Sequence, residues 1–343
     1  MFVAFGSTVL VPLLVGFDPA IALLAAGLGT LLFHAVTGGK VPIYLGSSFA
    51  FIAPIIKATE LYGMAGMFCG LVAVGMVYIL MSFLVKLFGV NFIKKLFPPI
   101  VIGPVIILIG LSLAGTGVDM ASKNWVLALV SLFVAIICSC WGKGMVKLIP
   151  VVFGALAGYI VAVIFYRSSM DFSGVASAPW FQLPHFSKMS LSWQAIVFMA
   201  PVAIAPIIEH VGDVYAISEI AGKDFVKDPG LHRTMLGDGL ACTLAAFLGG
   251  APVTTYSEVT GAVSLTKVTD PSCMRIAALS AILISLVGKV GAAIQTIPTA
   301  VLGGIMLLLF GSIASVGINN LVKAKVDMNL SLIHISEPTR PLY

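Results

Sequence analysis

The sequence predicts an all-α, polytopic membrane protein built from two inverted repeats, and three observations support this prediction. The first is composition: of 343 residues, 59% are hydrophobic and 10% charged, and the mean hydropathy is +1.10. Such a chain is typical of a protein that crosses a bilayer several times. The second observation is a set of long apolar segments interrupted by two short polar ones. The third is a group of motifs that recur in the second half of the chain.

Ten segments are apolar and, with one or two exceptions, long enough to cross a bilayer as helices, which takes about 20 residues. They fall at roughly residues 1–16, 19–38, 64–89, 97–117, 124–142, 145–166, 194–217, 232–250, 274–296 and 298–321. Two shorter segments, 42–55 and 253–265, carry several hydroxyl side chains. Counting each short segment as one crossing gives 12 crossings, which we take as about 12 of 14 in a 7+7 arrangement.

The basic residues fix the orientation of this topology. If the first helix runs outward, 13 of them are cytoplasmic: Lys40, Lys86, Lys94, Lys95, Lys143, Lys147, Lys223, Lys227, Arg233, Lys267, Arg275, Lys323 and Lys325. Four lie outside: Lys57, Lys123, Arg167 and Lys188. Cytoplasmic loops of membrane proteins carry this excess of Lys and Arg. We therefore expect a multi-pass protein of the inner (plasma) membrane, and the net charge of +5 calls for no nucleic-acid partner.

The chain repeats itself in inverted orientation. Residues 97–118 align without gaps on residues 297–318, and seven residues recur 200 positions later: Pro98, Val101, Gly103, Leu108, Ser112, Ala114 and Gly117. The stretch Ser47-Ser48-Phe49-Ala50 likewise matches Thr254-Thr255-Tyr256-Ser257. An odd number of predicted crossings separates the copies, so they run in opposite directions. Paired short segments in such repeats form the binding sites of many transporters, and we expect these two to lie antiparallel and close together.

Acidic residues at membrane depth mark the candidate site. Glu258 lies in the second short segment, and Glu209 lies in a helix interrupted by Pro201 and Pro206. A carboxylate costs several kcal/mol at this depth and usually faces a cavity or a pathway. Asp213 follows Glu209 by four residues and shares its helix face, although a solvated helix end explains Asp213 equally well.

Two further residue types support the candidate site. His210 is turned about 100° from Glu209 around the helix and is expected to face elsewhere. Phe49 and Tyr256 occupy matched positions of the repeat. They suit the two sides of a planar ligand, whereas simple packing is the usual role of membrane aromatics. Free backbone N–H groups at the starts of two half-helices would bond ligand carbonyls.

Five stretches of the chain resemble the nucleobase–ascorbate transporter (nucleobase:cation symporter-2) family, and in particular its bacterial uracil permease branch. The resemblance extends from Met1 to about Asn329. The stretches are Phe5-Gly-Ser-Thr-Val-Leu-Val-Pro12, Tyr44-Leu-Gly-Ser-Ser-Phe-Ala-Phe51, Glu209-His-Val-Gly212, Lys227-Asp-Pro-Gly-Leu-His-Arg233 and Thr254-Thr-Tyr-Ser-Glu258.

The resemblance implies a function and a set of site residues. It implies proton-coupled uptake of uracil or a related nucleobase by an alternating-access, elevator-type symporter, without a cofactor or metal. Glu209 and Glu258 match two base-binding carboxylates, and Phe49 and Tyr256 match residues that flank the base. Ser257 matches a glycine whose amide contacts the base. The family also implies a homodimer formed through the gate domain.

The resemblance divides the chain into four parts, two from each repeat. Residues 1–89 form the core domain of the first repeat and residues 90–192 its gate domain. Residues 193–296 form the core domain of the second repeat, and residues 297–329 begin an incomplete gate domain. Residues 330–343 resemble the translation of a sequencing-library adapter, and we expect them to be non-native read-through.

Several residues depart from the family pattern. Asp213 stands where the uracil permeases place a histidine, so that the proposed proton relay through Glu209 and Asp213 is altered. Val253 and Val259 replace asparagines, and Phe310 replaces a gate-domain tyrosine.

Other functions remain open from the sequence. A xanthine or other purine permease would use the same fold, and so would a sulfate-type anion carrier, although two carboxylates would repel an anion. An intramembrane aspartyl protease using Asp213 and Asp238 is a remote alternative, because the chain has Met235-Leu-Gly-Asp238 where that class has Gly-x-Gly-Asp.

Overall fold

The computed structural model describes residues 2–90, 92, 99–184, 186–255, 257–323 and 325, and it is a bundle of helices. The expected read-through at 330–343 lies outside these residues. The helices of the first half are α1 (Phe2–Val15), α2 (Pro19–Val36), α3 (Ile52–Phe88), α4 (Pro99–Ser122), α5 (Trp125–Trp141), α6 (Met145–Leu148), α7 (Pro150–Phe165) and α8 (Ser173–Ser177). Those of the second half are α9 (Trp193–Met199), α10 (Ile204–Ala221), α11 (Leu231–Leu248), α12 (Ser257–Thr266), α13 (Pro271–Ser285), α14 (Gly288–Gln295) and α15 (Thr299–Lys323).

By length and composition, five of the described helices could cross a membrane, or six if the bent pair α13 and α14 is one span. Three shorter apolar helices accompany them at Gly6–Val15, Trp125–Trp141 and Pro150–Phe165. The helical, multi-pass fold class predicted from the sequence is confirmed.

Two strands of two residues each pair with one another inside this bundle. β1 (Gly46–Ser47) pairs antiparallel with β2 (Val253–Thr254), with Gly46 opposite Thr254 and Ser47 opposite Val253. The four residues are fully buried, and the ladder satisfies backbone groups that no water reaches. The antiparallel arrangement expected from the inverted repeat is therefore confirmed.

Helices on either side of the strands hold them in place. The amide of Leu45, just before β1, donates to Thr30 Oγ1 of α2 at 2.9 Å. On the other side, Cys242 Sγ of α11 donates to the carbonyl of Val253 at 3.1 Å. The short segments thus lie against α2 and α11, the two helices that precede them in the chain.

Breaks divide the long apolar segments into shorter helices. Inside α3, Gly63 has φ +70°, a backbone conformation that glycine adopts readily, and it separates the half-helix after β1 from the long helix that follows. Pro201 and Pro206 fall where α9 gives way to a 3₁₀ turn (Ala200–Ala203) and then to α10, as expected. The predicted segment 274–296 is divided between α13 and α14, which meet at an angle of 83°.

Close packing between α4 and α15 reproduces the inverted repeat in three dimensions. Gly103 packs against Leu321, and its counterpart Gly303 packs against Ala121. The two contacts are related by a shift of 200 in residue number, upward for the glycine and downward for its partner. The same shift relates the contact of Gly117 with Leu307 to the contact of Gly317 with Ile107. Because each contact from α4 to α15 has a counterpart from α15 to α4, the two helices are related by a pseudo-twofold axis.

Candidate functional site

The candidate site lies where the two short segments meet. Ser48 follows β1 and caps the 3₁₀ turn Phe49–Phe51, since its Oγ accepts the Ala50 amide at 3.3 Å. Phe49 is 9% exposed and belongs to the apolar core. On the opposite side, Ser257 begins α12 two residues after β2. The starts of two half-helices are therefore brought to the same paired strands, as the repeat predicts.

Helix α10 packs against α12 and brings acidic residues to the site. Glu209 is partly buried, and Asp213, one turn later, is 4% exposed. Thr260 Oγ1 of α12 donates to Asp213 Oδ1 at 3.3 Å. The solvated helix end considered for Asp213 is therefore wrong, because this carboxylate lies between two helices.

Three of the predicted site residues are described only in part or not at all. Tyr256 lies outside the described residues, and for Ser257 and Glu258 the structure describes the backbone alone, at the start of α12. Their predicted roles in flanking the base and in binding it stay predictions. The position of their helix against α10 is described, and it brings the segments that carry Glu209 and Glu258 together.

A buried polar network that sequence reasoning missed joins α10 to α11 and β2. His210 faces away from the Glu209 side, as expected, and its Nδ1 lies 2.8 Å from Asp238 Oδ2 while its Nε2 lies 2.9 Å from Thr234 Oγ1. The same Asp238 oxygen accepts the amide of Thr255 at 3.2 Å, and Thr255 Oγ1 lies 3.3 Å from His210 Nδ1. The ring of Tyr78 meets the imidazole edge-on, with centroids 6.4 Å apart.

One sequence signal could have identified this network. Asp238 lies between two glycines, beyond the polar first turn of α11, and an acid at that depth needs a partner. From the sequence alone, Asp238 suggested only one half of a protease dyad with Asp213. In the structure the two carboxylates have different partners, Asp238 bonding His210 and Asp213 bonding Thr260.

A cavity of about 430 Å³ lies away from the predicted site, and none of the predicted site residues lines it. It separates the segment around Gln182 from α14, and Asp18 and Gln295 contribute to its wall. The Asp18 carboxylate accepts the Ala20 amide at 2.9 Å and so serves as the N-cap of α2. Among the described residues, no group of three or more His, Cys, Asp or Glu side chains could hold a metal ion.

The fold is that of a helical, multi-pass membrane transporter in which two short inverted segments pair with one another. The family model described as "Permease family" matches residues 1–336, and the chain belongs to that family. It is the nucleobase:cation symporter-2 family that the sequence motifs indicated, so that prediction is confirmed.

Relatives and solved structures agree with this assignment. The chain is 50% identical to the "Probable uracil permease" of Haemophilus influenzae, with 98% of this chain and 84% of that protein covered. It is 44% identical to the "Uracil permease" of Bacillus caldolyticus, with 95% and 79% covered. The transmembrane domain of the cyanobacterial bicarbonate transporter BicA has the same fold, with a TM-score of 0.68 at 15% identity and coverage of 97% and 93%.

Proposed function

We propose that this permease takes up uracil, or a closely related pyrimidine base, across the inner membrane by proton-coupled, alternating-access transport. The observation that carries the proposal is the antiparallel pairing of β1 with β2, because it brings two helix starts beside α10, the helix of Glu209. Relatives at 44–50% identity named as uracil permeases support the substrate.

The chemistry of the base fits this arrangement. Uracil has two ring N–H donors and two carbonyl acceptors on a flat ring. Carboxylates of Glu209 and Glu258 would accept from the ring, and backbone amides at the starts of the 3₁₀ turn and α12 would donate to the carbonyls. Phe49 and Tyr256 would cover the faces of the ring. The acid at position 258 favours a pyrimidine over a purine within this family.

Proton coupling follows from the two carboxylates. Two such groups facing one small cavity cannot both stay ionised at low cost, so one of them holds a proton over part of the cycle. We assign that proton to Glu209, since Asp213 on the same helix face offers an acceptor one turn further on. No enzymatic step is part of this proposal, and membership of a permease family supports a non-enzymatic function.

The movement that exposes the site to either side is proposed to be a displacement of the core domain against the gate domain. Helix packing supports this division. Its largest pairings join α3 with α11 and α2 with α13 in the core, or α4 with α15 and α5 with α7 in the gate. Contacts between the two groups, such as Gly6 of α1 against Val151 of α7, are fewer. A homodimer through the gate domain remains part of the proposal.

Uptake into proteoliposomes tests the substrate. The purified chain is reconstituted, an inward proton gradient is applied, and labelled uracil is competed with thymine, xanthine or uric acid. The Haemophilus influenzae relative serves as a positive control. We expect unlabelled uracil to compete best. Preferential competition by xanthine or uric acid would make the protein a purine carrier, and a sodium requirement would replace the proton.

Substitution of the acids tests the mechanism. Glu209→Gln should abolish proton-driven accumulation while binding of uracil remains measurable. Glu258→Gln should instead weaken binding, by about 1.5–3 kcal/mol for a lost charged hydrogen bond. Glu219→Gln is the matched control, because Glu219 lies exposed near the end of the same helix. Uphill uptake by Glu209→Gln with an unchanged pH dependence would assign the proton to another residue.

A further inference from the structure

The imidazole–carboxylate pair of His210 and Asp238 has no role in the function proposed above. Both side chains are completely buried, and so is Thr234, while Thr255 is 1% exposed. Four separate parts of the fold meet here: α10, α11, the end of β2 and the Tyr78 region of α3. A polar group in such a place is costly unless all its hydrogen bonds are made.

The hydrogen-bond geometry links the two side chains directly. His210 Nε2 lies 2.9 Å from Thr234 Oγ1, which is also 2.9 Å from the Leu231 carbonyl. Asp238 Oδ2 accepts the Thr255 amide and lies 2.8 Å from His210 Nδ1. Because two lone pairs would repel at that distance, a proton lies between Nδ1 and Oδ2.

The pair acts on the binding segment through a single backbone group. Asp238 fixes the amide of Thr255, two residues before α12 begins at Ser257. His210 fixes the carboxylate of Asp238, and it is the direct neighbour of Glu209 in α10. A chain of three hydrogen-bonded groups thus joins the helix of one proposed base-binding acid to the segment that leads to the other.

The first repeat holds its own short segment through one helix only. There the amide of Leu45 donates to the hydroxyl of Thr30 at 2.9 Å, and His34 Nε2 lies 3.0 Å from the carbonyl of Ile43. Thr30 and His34 are both buried and both belong to α2, the preceding helix. The second repeat uses a carboxylate that is itself held by an imidazole, which adds a link to a third helix, α10.

We propose that His210 and Asp238 are a positioning pair that sets the distance between the Glu209 helix and the start of α12, and so sets the geometry of the base-binding site. Neither residue is assigned contact with the base, and neither carries the transported proton. The inference deepens the proposed function and rests on it for the identity of the ligand, but its structural part can be tested without any ligand.

Hydrogen–deuterium exchange tests that structural part on the ligand-free protein. We expect Asp238→Asn and His210→Gln to speed amide exchange in a peptide covering residues 253–257 and to leave the peptide covering 43–48 unchanged. Thr30→Val is the matched control from the other repeat, and it should have the opposite pattern. Equal exchange of residues 253–257 in wild type and in both variants would overturn the proposal.

Uracil binding and uptake by the same variants test the functional part. Each single variant should weaken uracil binding by at least about tenfold, because a displaced start of α12 would lose about one hydrogen bond to the base. Because the two residues act as one unit, the double variant should bind no more weakly than the worse single variant. The pH midpoint of uptake should stay at the wild-type value, since the pair does not carry the transported proton.

Three results would contradict the proposal. Additive losses in the double variant would separate the two residues, and a shifted pH midpoint would make the pair a proton carrier. Weaker folding with unchanged affinity would leave it a purely structural element. If Asp238→Asn does not fold, Thr234→Val removes only the hydroxyl partner of His210 Nε2, and a smaller change of the same kind is expected. If the wild type binds no nucleobase, the proposed function fails and the exchange experiment alone decides.

Discussion

The crossing of α3 and α11 offers a sharp test of how the core is held together. Gly75 and Gly239 face each other at this crossing. A Cβ added at position 75 would lie 2.8 Å from both the carbonyl oxygen of Gly239 and the amide nitrogen of Thr243, and nearer still to Thr243 Oγ1. Carbon atoms in ordinary contact stand about 3.5–4.0 Å apart. The helices would therefore have to separate by roughly 0.7 Å or more in Gly75→Ala to restore that spacing.

The expected cost can be isolated with a matched variant. Forcing extra methyl groups into a packed core typically costs about 1–3 kcal/mol. Replacing a helical glycine by alanine gains about 0.8–1.0 kcal/mol of helix propensity. Gly115→Ala receives the same gain at a position in α4 where an added Cβ meets no atom within 4 Å. The difference between Gly75→Ala and Gly115→Ala should therefore be about 1–3 kcal/mol in favour of the latter.

Thermal inactivation of the two purified variants measures this difference. Membrane proteins often unfold irreversibly, so the midpoints are compared at one scan rate and in one detergent. For a domain of 150–250 residues, 1 kcal/mol shifts the midpoint by about 2–4 °C, and a shift of this order is expected here. Equal midpoints for Gly75→Ala and Gly115→Ala would show that α3 and α11 can separate at little cost. The close glycine contact would then not determine the position of α11.

Three further substitutions have expected effects that range from clear to negligible. Ser131→Ala removes a buried hydroxyl that lies 2.9 Å from the Ala128 carbonyl and 3.0 Å from the Val301 carbonyl, and loss of its hydrogen bond should cost about 0.5–1.5 kcal/mol in thermal unfolding. Asp18→Ala removes the N-cap of α2 and should cost about 0.5–2 kcal/mol in the same assay. Lys40→Met breaks an ion pair with Asp228 in which the two side chains are 51% and 72% exposed. Because exposed ion pairs contribute at most about 1 kcal/mol to stability, a larger loss of stability in the same assay would contradict this expectation.

Hydrophobic patterning and the repeat account for the parts of the fold that the sequence predicted. Long apolar runs locate helices because a membrane span must satisfy its own backbone. The pairing of β1 with β2 was predictable because the motifs Ser47-Ser48-Phe49 and Thr254-Thr255-Tyr256 are two copies of one element with opposite direction. Both partners of this long-range contact were therefore recognisable in the sequence. Their antiparallel direction followed from the odd number of predicted crossings between them.

The bend between α13 and α14 could not be predicted in the same way. Residues 274–296 are mostly apolar and contain no proline, and Gly288, Lys289 and Gly291 do not by themselves specify an 83° turn. The structure supplies a tertiary cause. The amide of Gln182 donates to the Leu286 carbonyl at 2.9 Å, and Gly288 packs against the carbonyl of Pro179. Contacts made by a distant loop decide where this helix ends.

The His210 network marks a second limit of sequence reasoning. Helix periodicity correctly turned His210 away from Glu209, but it could not say which helix the imidazole would meet. The partners Asp238 and Thr255 lie 28 and 45 residues further along the chain. Only Asp238 gave any sign, as an acid within an apolar helix. Residues that position a site leave a weaker trace than residues that bind, because their partners depend on the packing of several helices.

The two halves of the repeat share a frame but differ in their chemistry, and this difference bears on the proposed coupling. In the first core segment, residues 1–89, the acids are Asp18, which caps a helix, and Glu60, which pairs with Lys57 at the surface. The buried acids of the described chain, Asp213 and Asp238, both belong to the second core segment.

That distribution separates two tasks between the repeats. A pseudo-twofold frame lets the site open to one side or the other through related movements of its halves. The inversion does not exchange the acids, which stay on α10 to α12 whichever side is open. In the proposed function, the first repeat would contribute Phe49 and backbone amides to the base, and the second repeat every proton acceptor. Proton coupling through Glu209 then needs only one half of the site to change its protonation, while the other half keeps the base oriented throughout the cycle.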